Sequence, residues 1–192
     1  MTTLVLMLHG VGSNGADLAG LVRYFQPVMP DSVFRSPDAP HVFATSGNAR
    51  QWFSVSGITE ANRPARVVAA RAGLDALIDA SVAQTKARDV VLIGFSQGAI
   101  MALDALARGK VAKVVAFAGR LAFDDTPTPA LKARALLIGG TADQVMPHHL
   151  SSEAGARLAA AGVKTQVVIL ADVAHTITAE GITLAQGFLA KD

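Results

Sequence analysis

The 192-residue chain contains no cysteine. That excludes a disulfide framework and a thiolate metal site, and it fits a reducing, cytoplasmic setting. Aromatics are sparse at 5%, with one tryptophan and one tyrosine. Neither sign of charge dominates: 17 Lys and Arg stand against 15 Asp and Glu, scattered without runs, for a net charge of +2. The pI of 9.2 follows from that narrow difference, and nothing in the pattern points to nucleic acid or an anionic membrane as a partner. Long hydrophobic runs are missing too. Apolar residues make up 51% and the mean hydropathy is +0.39, yet no run of about 18 apolar residues occurs, so no membrane span is expected. The opening MTTLVLMLHG has no basic region, and its apolar run is shorter than a signal-peptide core of about 7–15 residues, so it is expected to be a first strand.

What is present is an alternation. The length predicts one domain over residues 1–192. Strand-length apolar runs at 4–8, 32–36, 90–95, 114–118, 135–139 and 165–170 alternate with helix-like segments at about 16–25, 64–86, 97–108, 148–161 and 178–190. This pattern predicts βαβ units and a mostly parallel sheet of about six strands, covered on both faces. In 64–86, Val67, Ala70, Leu74, Leu77, Ile78 and Val82 recur at three- and four-residue steps and mark a buried face. Two segments, 37–62 and 119–133, read as long loops, and the first carries Trp52.

Glycines bracket one serine in VLIGFSQGA: Gly94, Ser96 and Gly98 make a G-x-S-x-G pattern between an apolar run and an Ala/Leu-rich helix. Such a serine sits on a sharp strand-to-helix turn, where side chains two positions away would collide and where unpaired helix N–H groups can face an oxyanion. The alternative is a plain helix N-cap. As a nucleophile the hydroxyl needs a base, and the base needs an orienting acid, in the order Ser, acid, His along the chain. Asp143 follows the run at 135–139 and His175 follows the run at 165–170, both at the carboxyl edge where open α/β sheets bind ligands. Asp172 is the competing acid. His148 and His149 are adjacent, do not share a face, and read as surface or rim residues; His41 reads as a surface loop residue, and Asp124 and Asp125 as solvated loop charges or a helix start.

A second motif, LMLHGVGSNGADL, ends the first run in a glycine-rich turn. Gly10, Gly12 and Gly15 let the backbone pass close to a reacting carbonyl and aim the Val11 N–H at its oxygen, with the Gln97 N–H as the other donor. His9 reads as a loop-shaping, hydrogen-bonded strand-end residue. G-V-G-S-N-G also fits a dinucleotide fingerprint, but no acidic residue ends the second run, which weakens that reading.

LHGVGSNGADL, RQWFS, GFSQGA, AGRL, GTADQVMPHHL and AHTI, in that order over nearly the whole chain, resemble the phospholipase/carboxylesterase group of α/β-hydrolases, which includes acyl-protein thioesterases. The resemblance implies a three-layer α/β-hydrolase fold without a cap domain. It also implies a Ser96, Asp143, His175 triad, an oxyanion hole from Val11 and Gln97, and a Trp52-Phe53 loop bordering an acyl groove. Ala174 stands where the family usually has glycine, and Ser54 where an acidic residue is common. Phe53, Val55, Phe95, Val145 and Met146 are expected to line the groove, with Trp52 at its rim. The implied activity is a serine carboxylesterase acting on short- to medium-chain acyl esters, without metal or organic cofactor. The alternatives are an acyl-protein or acyl-CoA thioesterase or lysophospholipase, and a noncatalytic binding protein of the same fold. An apolar sheet face or loop pair could support a homodimer, but no feature identifies one.

Overall fold

The computed structural model describes residues 2–43, 47–123 and 125–191; Asp124 lies outside them. The described residues form eight strands: β1 (Thr3–Leu8), β2 (Ser32–Arg35), β3 (His41–Val42), β4 (Arg50–Gln51), β5 (Asp89–Phe95), β6 (Lys113–Phe117), β7 (Arg134–Gly140) and β8 (Lys164–Leu170). Six of them make one sheet in the order β2-β1-β5-β6-β7-β8, every neighbouring pair parallel. The helices are α1 (Gly15–Ala19), α2 (Val22–Phe25), α3 (Arg63–Thr85), α4 (Gln97–Ala107), α5 (His148–Ala160) and α6 (Ala179–Leu189).

Successive side chains on a strand point to opposite faces, so each apolar run feeds two cores at once. Leu4, Leu6 and Leu8 pack with residues of α3, α4 and α5, among them Leu74, Ile78, Leu103 and Leu158. Val5 and Met7 pack on the other side with Leu18, Phe25, Ile182 and Phe188 from α1, α2 and α6. The result is the three-layer α/β-hydrolase arrangement, with no cap domain among the described residues. No helix among them is long and apolar enough to cross a membrane.

Two local departures from the expected elements have clear causes. The helix expected over 16–25 is two short ones, α1 and α2, separated at Gly20 and Leu21; glycine inside a helix costs about 1 kcal/mol relative to alanine. A capping box starts α1: the Asn14 side chain accepts from the Ala16 N–H, and Asp17 accepts from the Asn14 N–H. The long loop at 37–62 holds β3 and β4, paired antiparallel, and strands of two residues leave no periodicity to read.

Helix α4 is buried along its entire length, yet it carries Asp104. That carboxylate accepts from Arg71 of α3 at 2.8 Å and from Arg108 at 2.7 Å, and Arg108 also reaches Asp75 at 2.9 Å. Burial opposes the Arg108 charge, but the bonds from Asp75 and Asp104 outweigh it and hold its pKa above the usual arginine value. The network fixes α3 against the helix that carries Ser96 at its start. Asp104→Ala strips the buried counter-charge and is expected to cost about 3 kcal/mol. Thermal unfolding should then show Tm lower by roughly 6–12 °C; a shift below about 2 °C would assign the network little weight.

Candidate active site

The site is built around the turn from β5 to α4. Ser96 takes φ 53° and ψ −117°, a conformation that costs a non-glycine residue about 1–3 kcal/mol and persists only where the surroundings enforce it. They do. The Ser96 N–H donates to the Phe117 carbonyl at 3.0 Å, and the Ser96 carbonyl accepts from the Ile100 N–H at 3.0 Å. A β-carbon on Gly94 would come within 2.6 Å of the Ala99 backbone, and one on Gly98 would overlap the Leu8 carbonyl. Both flanking glycines are therefore steric requirements of the turn.

Asp143 and His175 lie on the loops that follow β7 and β8, and those loops are tied together. Thr141 N–H donates to Leu170 O at 2.9 Å, Ala142 N–H to Val173 O at 3.0 Å, and Asp172 N–H to the Thr141 hydroxyl at 2.8 Å. Ser96 Oγ stands 2.9 Å from His175 Nε2, and His175 Nδ1 stands 2.7 Å from Asp143 Oδ2. A carboxylate accepts, so Nδ1 carries the ring proton and Nε2 offers its lone pair to the serine hydroxyl. The second carboxylate oxygen, Oδ1, accepts from the Val145 N–H at 2.9 Å and the Met146 N–H at 2.8 Å. Asp143 and Ser96 are buried, His175 is partly exposed, and the Phe95 ring lies 4.9 Å from the imidazole. Asp172 is exposed, with φ 56°, and has no part in this chain of bonds.

A cleft of about 560 Å³ opens beside the serine, between the turn after β1, α1, and the loop that carries His175. Val11 lines it, and the Gln97 N–H opens α4 directly after Ser96, where the first helical N–H groups have no intrahelical partner. Neither N–H has an acceptor among the described residues. The apolar wall consists of Leu18, Leu21, Phe95, Val145 and Ile177, with Ser13 and Asp17 at the polar end.

This wall corrects the expected groove. Phe95 and Val145 line the cleft; Trp52, Phe53, Val55 and Met146 do not. Trp52 is 1% exposed, Phe53 4% and Met146 6%, so the rim position expected of Trp52 is overturned. Its indole is held inside because Nε1–H donates to the His9 carbonyl at 2.9 Å, a partner that the polar flank of Trp52 gives no hint of. Leu18, Leu21 and Ile177 belong to short or irregular segments whose inclination toward the serine has no sequence signal. His9 is fully buried: Nε2 accepts from the Ala39 N–H at 2.9 Å, so Nδ1–H donates to Gly10 O at 2.7 Å. His41 and His149 are exposed and His148 half-buried at the start of α5, all outside the triad.

Two ion pairs that share the exposed Glu60 link the loop before α3 to the loop after β6. Glu60 accepts from Arg120, on the loop after β6, at 2.6 Å and from Arg63 at 2.9 Å. These two guanidinium groups, Arg120 foremost, hold the Glu60 carboxyl below the usual carboxylate range.

Known proteins carry the same architecture. The phospholipase/carboxylesterase family model matches residues 1–192. Esterase YpfH of Escherichia coli (strain K12) is 36% identical over 188 residues, which cover 91% of this chain and 76% of that protein. The crystal structure of esterase PE8 matches with a TM-score of 0.89 at 33% identity, over 97% of this chain and 91% of that one. A carboxylesterase from Bacillus cereus matches with a TM-score of 0.79 over 98% of this chain and 87% of that one; at 19% identity this likeness speaks for the fold alone. With the family model matched from end to end, and a relative at 36% identity over nine-tenths of this chain, the chain belongs to the phospholipase/carboxylesterase family and is a hydrolase of carboxylic esters.

Proposed function

We propose that this carboxylesterase cleaves short- to medium-chain acyl esters through an acyl-enzyme at Ser96. Ser96 Oγ attacks the ester carbonyl while its proton passes to His175 Nε2, and Asp143 balances the imidazolium. The carbonyl electron pair moves onto oxygen, where the Val11 and Gln97 N–H groups receive it. Collapse breaks the bond to the alkoxy group, which leaves with the proton from His175. Water then repeats the sequence on the acyl-serine, with the same imidazole as base, and releases the acid. The observation that carries this reading is the continuous chain of bonds at 2.9 and 2.7 Å from Ser96 through His175 to Asp143, beside two N–H donors with no acceptor among the described residues.

The size of the cleft and its wall of Leu18, Leu21 and Ile177 support the chain-length reading. Each buried methylene contributes about 0.8 kcal/mol, and there is room for a few of them. Across p-nitrophenyl esters from acetyl to dodecanoyl, kcat/KM is expected to peak between acetyl and octanoyl. Leu21→Trp, which fills the wall, should lower the octanoyl-to-acetyl ratio of kcat/KM about tenfold. An unchanged ratio would place the acyl chain elsewhere, and a larger kcat/KM on matched thioesters would turn the assignment toward a thioesterase.

A further inference from the structure

The two oxyanion donors come from separate stretches of chain, the turn after β1 and the first residue of α4. Residues 50–53 join them. On one side, Arg50 O accepts from the Gly12 N–H at 2.9 Å and the Arg50 N–H donates to Ser13 O at 2.8 Å. On the other, the Gln97 side chain clasps the Trp52-Phe53 backbone: Oε1 accepts from the Trp52 N–H and Nε2–H donates to Phe53 O, both at 2.7 Å. The Trp52 indole then crosses back. Its Nε1–H donates to His9 O at 2.9 Å, while the His9 ring, 5.7 Å from the indole, donates to Gly10 O at 2.7 Å. Gly10 O belongs to the same peptide unit as the Val11 N–H, so a bond that turns one turns the other.

All three residues are nearly inaccessible, with His9 at 0%, Trp52 at 1% and Gln97 at 3% exposure. Water does not substitute for these bonds, and a lost partner leaves a buried polar group unmatched. The fully amide-like use of Gln97 is notable because its backbone N–H is itself one of the donors. A single residue therefore supplies one donor and grips the segment that reaches across to the other.

We propose that Trp52 and the Gln97 side chain are positioning residues that fix the spacing and aim of the Val11 and Gln97 N–H groups toward the tetrahedral oxyanion. The inference rests on the acyl-enzyme reading given above. Losing one properly aimed oxyanion donor costs about 10²–10³-fold in rate, and misalignment of about 1 Å costs up to about 10²-fold. The strut should therefore show itself in kcat, not in substrate binding.

The test uses Trp52→Phe, which keeps an aromatic ring but removes Nε1–H together with part of the indole volume, and Gln97→Met, which keeps the backbone N–H and removes the clasp. Steady-state kinetics on p-nitrophenyl butyrate would be paired with inhibition by an alkyl trifluoromethyl ketone. Ser96 Oγ adds to the ketone carbon as the serine proton passes to His175, and the carbonyl electron pair moves onto the oxygen that faces the N–H groups. Either folded variant is expected to lose about 10–100-fold in kcat with KM within about threefold, and ketone affinity should fall in proportion to kcat/KM. Should Trp52→Phe fail to fold, Gln97→Met carries the same expectation. Variants whose kcat and ketone affinity stay within about twofold of wild type, whatever their Tm, would overturn the proposal and leave the strut a purely structural brace. Fluorophosphonate titration of Ser96 in the wild-type enzyme separates this outcome from failure of the nucleophile assignment, which would show as no labelling at all.

Discussion

Ser96→Ala is expected to lower kcat on p-nitrophenyl butyrate by about 10⁴-fold or more, with Tm essentially unchanged. The two halves of that result have different origins. The loss in rate follows because, in the proposed mechanism, the serine oxygen forms the acyl bond, and among the described residues no other hydroxyl is hydrogen-bonded to His175 Nε2. The unchanged Tm follows because, among the described residues, the Ser96 side chain is hydrogen-bonded to His175 alone. The strained turn is held by backbone bonds to Phe117 and Ile100 and by the close approach at Gly94 and Gly98, all of which alanine preserves. A residual rate above that of water is expected from the oxyanion donors. A variant within tenfold of wild type in kcat would remove Ser96 from the mechanism.

Asp143→Asn should lower kcat by about 10⁴-fold as well, and the reason can be traced atom by atom. The Val145 and Met146 N–H groups both point at one carboxylate oxygen and need an acceptor there. An asparagine satisfies them by placing its carbonyl oxygen in that position, which turns its NH₂ toward His175 Nδ1. The imidazole then has to accept at Nδ1, so its proton moves to Nε2. There it faces the Ser96 hydroxyl as a donor, not as a base. KM and Tm should stay near wild type because volume and hydrogen-bond count are kept. Equal kcat for Asp143→Asn and wild type would show that the carboxylate does not orient the base, and Asp172→Asn should leave activity unaffected.

Much of the fold could be read from residue order because parallel strands buried on both faces become continuous apolar runs. The stretches at 90–95 and 135–139, for example, lie inside β5 and β7. The loops that carry Asp143 and His175 were legible for a related reason: residues following such runs land on one edge of the sheet, so the order Ser96, Asp143, His175 already places three side chains at that edge. Details that depend on distant partners could not be read. Trp52 follows the polar stretch 48–51 and looks like a rim residue, but its burial depends on acceptors at Gln97 and His9, 45 and 43 residues away. Asp104 is the lone charged residue of a helix that is otherwise apolar after Gln97; only the fold supplies Arg71, 33 residues earlier, as its partner. The wall of the cleft depends on where α1 ends and how the His175 loop leans, and neither has a sequence period. Gln97 was anticipated for its backbone N–H alone. Its side chain gave no signal beyond being a polar group at the start of a buried helix.

The proposed mechanism requires Ser96 as the covalent nucleophile, and active-site labelling tests that most directly. Incubation of the purified enzyme with a fluorophosphonate, followed by intact-mass and peptide mass spectrometry, is predicted to give one adduct per chain, on the peptide carrying Ser96. Loss of esterase activity should track the adduct, and Ser96→Ala should give none. Full esterase turnover in a preparation with no adduct at Ser96, or with the adduct on another residue, would contradict it.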